Sequence, residues 1–109
     1  MIETLQLREN VGCSQEQLAH LIGVSVKTIS RWEQKESHPS LLARQRIMEI
    51  QKVLQRTKEL FKPGKAGEWL NMPNEILDGR TPLEELAQGP EGIRRVLNLL
   101  NKLEWGIPT

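Results

Sequence analysis

SQEQLAHLIGVSVKTISRWE, residues 14–33, reads as two short helices joined by a tight turn. Ser14 suits an N-cap, and Gln17 stands three residues on, where a capping box has its second member. Gly23 suits the position just past a helix end, where the backbone turns left-handed. Ser25 then caps a second helix that runs to about Gln34. Leu18, Ala19, Ile22, Val24 and Ile29 form the expected inner face, with Trp32 covering it. Ala19 is small enough to let two helices cross closely.

The outer face of the second helix carries the chemistry. Lys27 and Arg31 are four apart and share one side. A helix laid in a DNA major groove places a few side chains on base edges while its N-terminus faces the phosphate backbone. Val26, Lys27, Ser30 and Arg31 are the groove-facing candidates. Arg31 can fork onto guanine O6 and N7, Lys27 can reach the same edge, and Val26 can pack on a thymine methyl. Ser25 belongs to the candidate set at the helix start, and the Thr28 hydroxyl can donate to phosphate. Gln15 stands in the first turn of the preceding helix, where a side-chain amide and free backbone N–H groups can grip a phosphate.

Outward from this stretch, further helices are expected and no strand. Met1 to Asn10 gives a first helix through Ile2, Leu5 and Leu7, broken at Gly12 and Cys13. After His38-Pro39-Ser40 a long helix spans roughly Leu41 to Phe61, with Leu42, Ile47, Ile50, Val53, Leu54, Leu60 and Phe61 near helical spacing. Lys62-Pro63-Gly64 ends it and marks the boundary between residues 1–61 and 62–109. Shorter helices follow. One carries Trp69 and Leu70, and a turn lies around Asp78-Gly79-Arg80. Thr81-Pro82-Leu83-Glu84 is a helix start with an N-cap, a first-turn proline and a capping-box glutamate. The last helix runs from Pro90 to Trp105 with Ile93, Val96, Leu97, Leu100 and Leu103 on one stripe, before the tail Gly106-Ile107-Pro108-Thr109.

Composition narrows the function classes. The chain has 109 residues, 38% hydrophobic and 27% charged, as a globular protein of one domain or two small ones sharing a core would have. No apolar run approaches a membrane span, and the N-terminus lacks signal-peptide features, so a cytoplasmic protein is expected. The net charge is only +1, but residues 1–60 hold nine Lys/Arg against seven Asp/Glu, and residues 61–109 six against seven. The weak basic surplus sits with the helix pair, so two copies of a modest basic face would be needed to hold DNA, and a homodimer is expected. No nucleophile–base set, phosphate-cradling glycine loop or metal cluster stands out, so neither an enzyme nor a metal or other cofactor is expected.

Most remaining features have plain structural readings. Cys13 reads as a small packing residue. His20 reads as a surface residue and His38 as a loop residue. Trp69 and Trp105 read as core or interface anchors rather than stacking platforms. Glu84 and Glu85 are neighbours that point different ways on a helix, so they fit dipole stabilisation better than acid–base catalysis.

The ordered set LRE, SQEQLA, GVS, TISRWE and HPS within residues 5–60 resembles the Xre helix-turn-helix repressors, related to those of lambdoid phages. That resemblance implies an all-α fold with a lambda-repressor-like first domain. It assigns Gln15 and Thr28 to phosphate and Val26, Lys27 and Arg31 to bases, and it implies an Arg8–Glu33 ion pair tying the first helix to the third. One departure stands out: the family's glycine after the recognition helix is absent, and Gln34-Lys35-Glu36 fills that turn.

EWLNMPNEILDGRTPLEEL and RRVLNLLNKLEWGIP in turn resemble the small helical toxin-binding domain of Xre/ParS/MbcA antitoxins. The implied function is a type II antitoxin. It would neutralise a RES-domain toxin, an enzyme that consumes or transfers from NAD, and repress its own operon by binding double-stranded operator DNA. Arg94, Arg95 and Lys102 are candidates to meet acidic groups on the toxin, and Trp105, Gly106, Ile107 and Pro108 to obstruct its NAD cleft. The alternative is a stand-alone transcriptional regulator whose second half dimerises or binds another partner.

Overall fold

The computed structural model describes residues 4–105, and the regular structure among them is entirely helical. The elements are α1 (Thr4–Val11), α2 (Gln15–Ile22), α3 (Val26–Glu33), α4 (Leu41–Leu60), α5 (Ala66–Leu70), a 3-10 turn at Glu75–Leu77, α6 (Pro82–Leu86) and α7 (Pro90–Glu104). No described helix is long and apolar enough to cross a membrane.

Local chemistry sets most boundaries. Ser14 Oγ accepts from the Gln17 N–H at 3.1 Å, and Gln17 Oε1 accepts from the Ser14 N–H at 2.9 Å, closing the capping box on α2. Gly23 stops α2 at φ +88°. Ser25, Ser40 and Thr81 cap α3, α4 and α6 through their hydroxyls, with Pro82 and Glu84 completing the start of α6. The end of α3 is unusual. The Glu36 N–H donates to Arg31 O at 2.8 Å and the Lys35 N–H to Trp32 O at 3.1 Å, the paired bonds of a Schellman motif. Its left-handed residue is Lys35, at φ +62°, where glycine is the usual occupant.

A continuous core crosses the boundary expected at residue 61. Leu18, Ile29, Ile47 and Ile50 join Leu70, Leu86, Val96 and Leu100 in one buried cluster. α4 contributes to both sides of it and packs along α7. Its inner stripe differs from the expected one. Leu42 is 76% exposed, whereas Ala43 and Thr57 are buried. Thr57 hides its hydroxyl by donating to Val53 O at 2.7 Å. Leu60 and Phe61 only flank the core, Phe61 lying against Trp69 with ring centroids 5.4 Å apart. On α7, Leu99 is buried as well as the expected Ile93, Val96 and Leu100, while Leu97 and Leu103 are partly covered.

Polar stitches fix how the helices sit together. Arg46 of α4 donates through Nε to Leu21 O at 3.0 Å and through a terminal nitrogen to Leu86 O at 2.6 Å, so one cation meets the C-terminal turns of α2 and α6. Asn71 donates to Val11 O at 3.3 Å and to Gly67 O at 2.8 Å, tying the end of α5 to the end of α1. Gly92 lets α7 lie directly on α6: a Cβ there would stand 1.8 Å from Glu85 O. Among the described residues no buried side-chain polar atom lacks a partner.

Candidate functional site

α3 lies with Ile29 and Trp32 inward and an open ridge outward. Ser25, Lys27 and Arg31 are exposed, Val26 is 40% exposed, and Thr28 and Ser30 are half-buried. The expected base-reading set therefore shares one accessible face. Local bonds already occupy some of its hydroxyls. The Ser25 and Thr28 oxygens are 2.9 Å apart, and Ser30 Oγ accepts from Gln34 Nε2 at 3.4 Å. All three hydroxyls retain capacity for a further contact. The ridge is thus a row of two exposed cations and short polar groups on a helix with a capped start, the kind of surface that fits a groove edge.

A carboxylate beneath the ridge sets the pose of α3. Arg8 Nε donates to Glu33 Oε2 at 2.8 Å, a second guanidinium nitrogen reaches Oε1 at 3.2 Å, and Gln15 Nε2 donates to Oε1 at 2.8 Å. The Arg8–Glu33 pair implied by the resemblance is present, with side chains 23% and 9% exposed. The Arg8 hydrogen bond, reinforced by Gln15, holds the Glu33 carboxyl below its usual range despite burial. Bonding to Glu33 correspondingly raises the Arg8 guanidinium. Gln15, expected at a phosphate, spends one amide N–H on Glu33, and the capping box already engages the Ser14 and Gln17 N–H groups at the α2 start. Cys13 is buried, and desolvation pushes its thiol up to about 11, as a packing residue requires.

The second half places its candidates differently. Glu85 lies in the first turn of α6, where a carboxylate favours the helix dipole, and it is wholly buried. Its carboxylate is held between Arg80, whose Nε donates at 2.7 Å, and Arg95, whose Nε meets the other oxygen. A buried carboxylate needs such partners. Arg95 thus braces α6 against α7, with about half its side chain exposed. Arg94 pairs with Glu91 one turn earlier on the same helix, and Lys102 is exposed. Arg56 of α4 binds Asn101 and Glu104, fixing the end of α7. Trp105 follows, 78% exposed. Gly106, Ile107 and Pro108 lie outside the described residues. Among those described, no group of His, Cys, Asp and Glu could hold a metal.

Sequence reading missed one surface feature. A recess of about 670 Å³ lies where the α3–α4 loop meets α4, lined by Trp32, His38, Pro39, Arg44, Ile47 and Met48 among others. Leu41 and Met48, seven residues apart on the outer side of α4, were the available signal.

Comparison with known proteins covers nearly the whole chain. Residues 5–55 match a helix-turn-helix family model, and residues 57–106 match the antitoxin Xre/MbcA/ParS C-terminal toxin-binding domain. The mycobacterial cidal antitoxin MbcA of Mycobacterium tuberculosis, and the same protein of Mycobacterium bovis, are 26% identical over 99 residues, 91% of this chain and 86% of theirs. A chain in the crystal structure of the M. tuberculosis MbcT–MbcA toxin–antitoxin complex has the same fold, with a TM-score of 0.74 at 24% identity, over 98% of this chain and 95% of that one.

Proposed function

The chain belongs to the Xre/MbcA/ParS antitoxins, a helix-turn-helix unit joined to that family's C-terminal toxin-binding domain, and from this premise we propose how its two halves work. It is a regulatory antitoxin and not an enzyme. In the proposal the toxin is a RES-domain enzyme that consumes or transfers from NAD, as the resemblance of residues 60–108 implies. The antitoxin acts in the cytoplasm, binds that toxin directly and represses its own operon as a homodimer.

The DNA half reads with Val26, Lys27, Ser30 and Arg31 in the major groove, while Ser25, Thr28 and the start of α2 around Gln15 meet phosphates. The open cationic ridge of α3 supports this, together with the locked Arg8–Glu33–Gln15 cluster that fixes its angle. The toxin half offers Trp105 as an apolar anchor. Gly106, Ile107 and Pro108 then follow it as a short tail that obstructs the NAD cleft, with Arg94, Arg95 and Lys102 beside acidic groups of the toxin. Arg95 contributes only the outward edge of its guanidinium, because its Nε stays on Glu85.

The observation that carries the reading is the exposed α3 ridge on a chain whose remaining half matches a toxin-binding domain. The test is co-expression with the toxin encoded beside it. The full chain should co-purify with the toxin and protect growth. A chain ending at Glu104 should protect less while its operator gel shift stays intact. Full protection by the shortened chain would remove the tail-blocking idea. A full chain that neither binds nor protects would remove the toxin pairing itself.

A further inference from the structure

The core holds α7 firmly only as far as Leu100. Val96, Leu99 and Leu100 are buried, but beyond them Leu103 is only partly covered, and Asn101, Lys102, Glu104 and Trp105 are exposed. A last turn with so little apolar cover frays unless something else holds it. Glu104 adds to the tendency, because a carboxylate at a helix C-terminus faces the negative end of the dipole.

Arg56 of α4 supplies the hold. One of its terminal nitrogens donates to Asn101 Oδ1 at 3.3 Å and also meets the Glu104 carboxylate. The other stands 3.5 Å from Glu59 Oε1 of its own helix, a further contact that restricts the side chain. Asn101 and Glu104 are three residues apart, so the grip spans one face of the last turn. The Asn101 carbonyl in turn accepts the Trp105 N–H at 3.1 Å. A single cation therefore sets where the chain leaves α7. Only 24% of the Arg56 side chain is exposed, so it acts on α7 rather than as an open contact. Residue 56 also falls between the two stretches that match families, 5–55 and 57–106.

We propose that Arg56 is a positioning residue for toxin capture: it holds the last turn of α7 in one pose, so that Trp105 meets the toxin already aimed. This role rests on the reading of Trp105 as the apolar anchor for the toxin. Arg56 itself touches no toxin group. It sets the fraction of free chains whose last turn is formed, and apparent affinity scales with that fraction. Aiming the anchor beforehand raises the association rate and leaves dissociation alone, because bound toxin holds the turn by itself. A direct contact acts mainly on dissociation.

The experiment combines hydrogen exchange of the free chain with the binding kinetics of the purified toxin encoded beside it. Arg56→Met keeps an apolar stem and removes the donors. Exchange at the Trp105 amide should quicken roughly 10-fold, and association with the toxin should slow by a similar factor, while dissociation and the operator gel shift stay unchanged. Arg56→Lys, which keeps the charge but not the fork, should recover part of the association rate. Glu104→Gln, at an exposed position, tests the same clip from the other side. It should slow association too, and adding it to Arg56→Met should cost little more. Unchanged exchange in Arg56→Met would show that the turn stands without the clip and would overturn the positioning role. Faster dissociation at an unchanged association rate would overturn it by making Arg56 a direct contact. A matching loss of operator binding would overturn it by making Arg56 a general support of the fold. Trp105→Ala separates this role from the reading beneath it. If that variant binds toxin as tightly as the wild type, the anchor is refuted and the positioning role falls with it. A weakened Trp105→Ala beside an unimpaired Arg56→Met leaves the anchor standing and refutes the positioning role alone.

Discussion

Replacing Lys35 tests whether the turn after the recognition helix holds the strain its backbone implies. Lys35 closes a Schellman motif at φ +62°, one of only two non-glycine residues with positive φ among those described. An L side chain in the left-handed region costs roughly 1–2 kcal/mol, and glycine escapes that cost. Against this, removing the lysine gives up about 0.3–0.5 kcal/mol of interaction with the C-terminal end of α3. The wider unfolded-state freedom of glycine withholds a further share, roughly 0.4–1 kcal/mol. Lys35→Gly should therefore be more stable than the wild type by about 0.5 kcal/mol. The sharper comparison is with Lys35→Ala, which loses the same charge and keeps the Cβ. Glycine should exceed alanine by about 1 kcal/mol, a difference of about 4–8 °C in melting temperature for a chain of this size. Thermal melts followed by circular dichroism at one pH and one protein concentration measure it. Equal melting temperatures for the two variants would refute the argument, because they would show that the turn pays nothing for its Cβ.

Four other outcomes follow from the contacts. Gly92→Ala puts a Cβ 1.8 Å from Glu85 O, so α7 must lift from α6; a loss above about 3 kcal/mol is expected in urea titrations, and a near-neutral result would contradict the close approach. Arg46→Met leaves Leu21 O and Leu86 O without their shared donor, costing about 2 kcal/mol, and hydrogen exchange should quicken at the ends of both α2 and α6. Glu33 titrates lower when folded than when unfolded, so its contribution is complete above the unfolded value of about 4.3 and fades as pH falls through the lowered folded value. Stability should thus drop towards pH 3, with a shallower drop in Glu33→Gln. Arg31→Ala should lose about 1–3 kcal/mol of discrimination at one base pair; gel shifts on operator variants showing unchanged preference would take Arg31 out of the reading set.

What could be read from the sequence was local. Ser14 with Gln17, Gly23, Ser25, and Thr81-Pro82 with Glu84 act on backbone groups within a few residues, so spacing alone locates them. The inner face of the helix pair was legible for the same reason, since Leu18, Ala19 and Ile29 follow helical periodicity. The Arg8–Glu33 pair spans 25 positions and came only through family likeness. Contacts set by the meeting of distant helices stayed hidden. Nothing beside Arg46, Gly92 or Glu85 in the sequence marks the donor to two helix ends, the close helix approach or the buried carboxylate that they provide. Hydropathy puts Leu42 on the inner stripe of α4, whereas the buried positions include Ala43, which is small, and Thr57, whose hydroxyl donates to Val53 O. The ridge of α3 was legible because exposed cations need no distant partner.

The two stretches that match separate families meet at residue 56, inside the C-terminal part of a twenty-residue rod rather than in a linker. Breeding a hybrid by splicing this operator reader onto a foreign immunity module at that seam would sever the spine that both donors share. Exchange between such proteins should therefore succeed when the entire rod travels with its neighbours on both flanks, arginine 46 included, and fail when the cut follows the border of likeness.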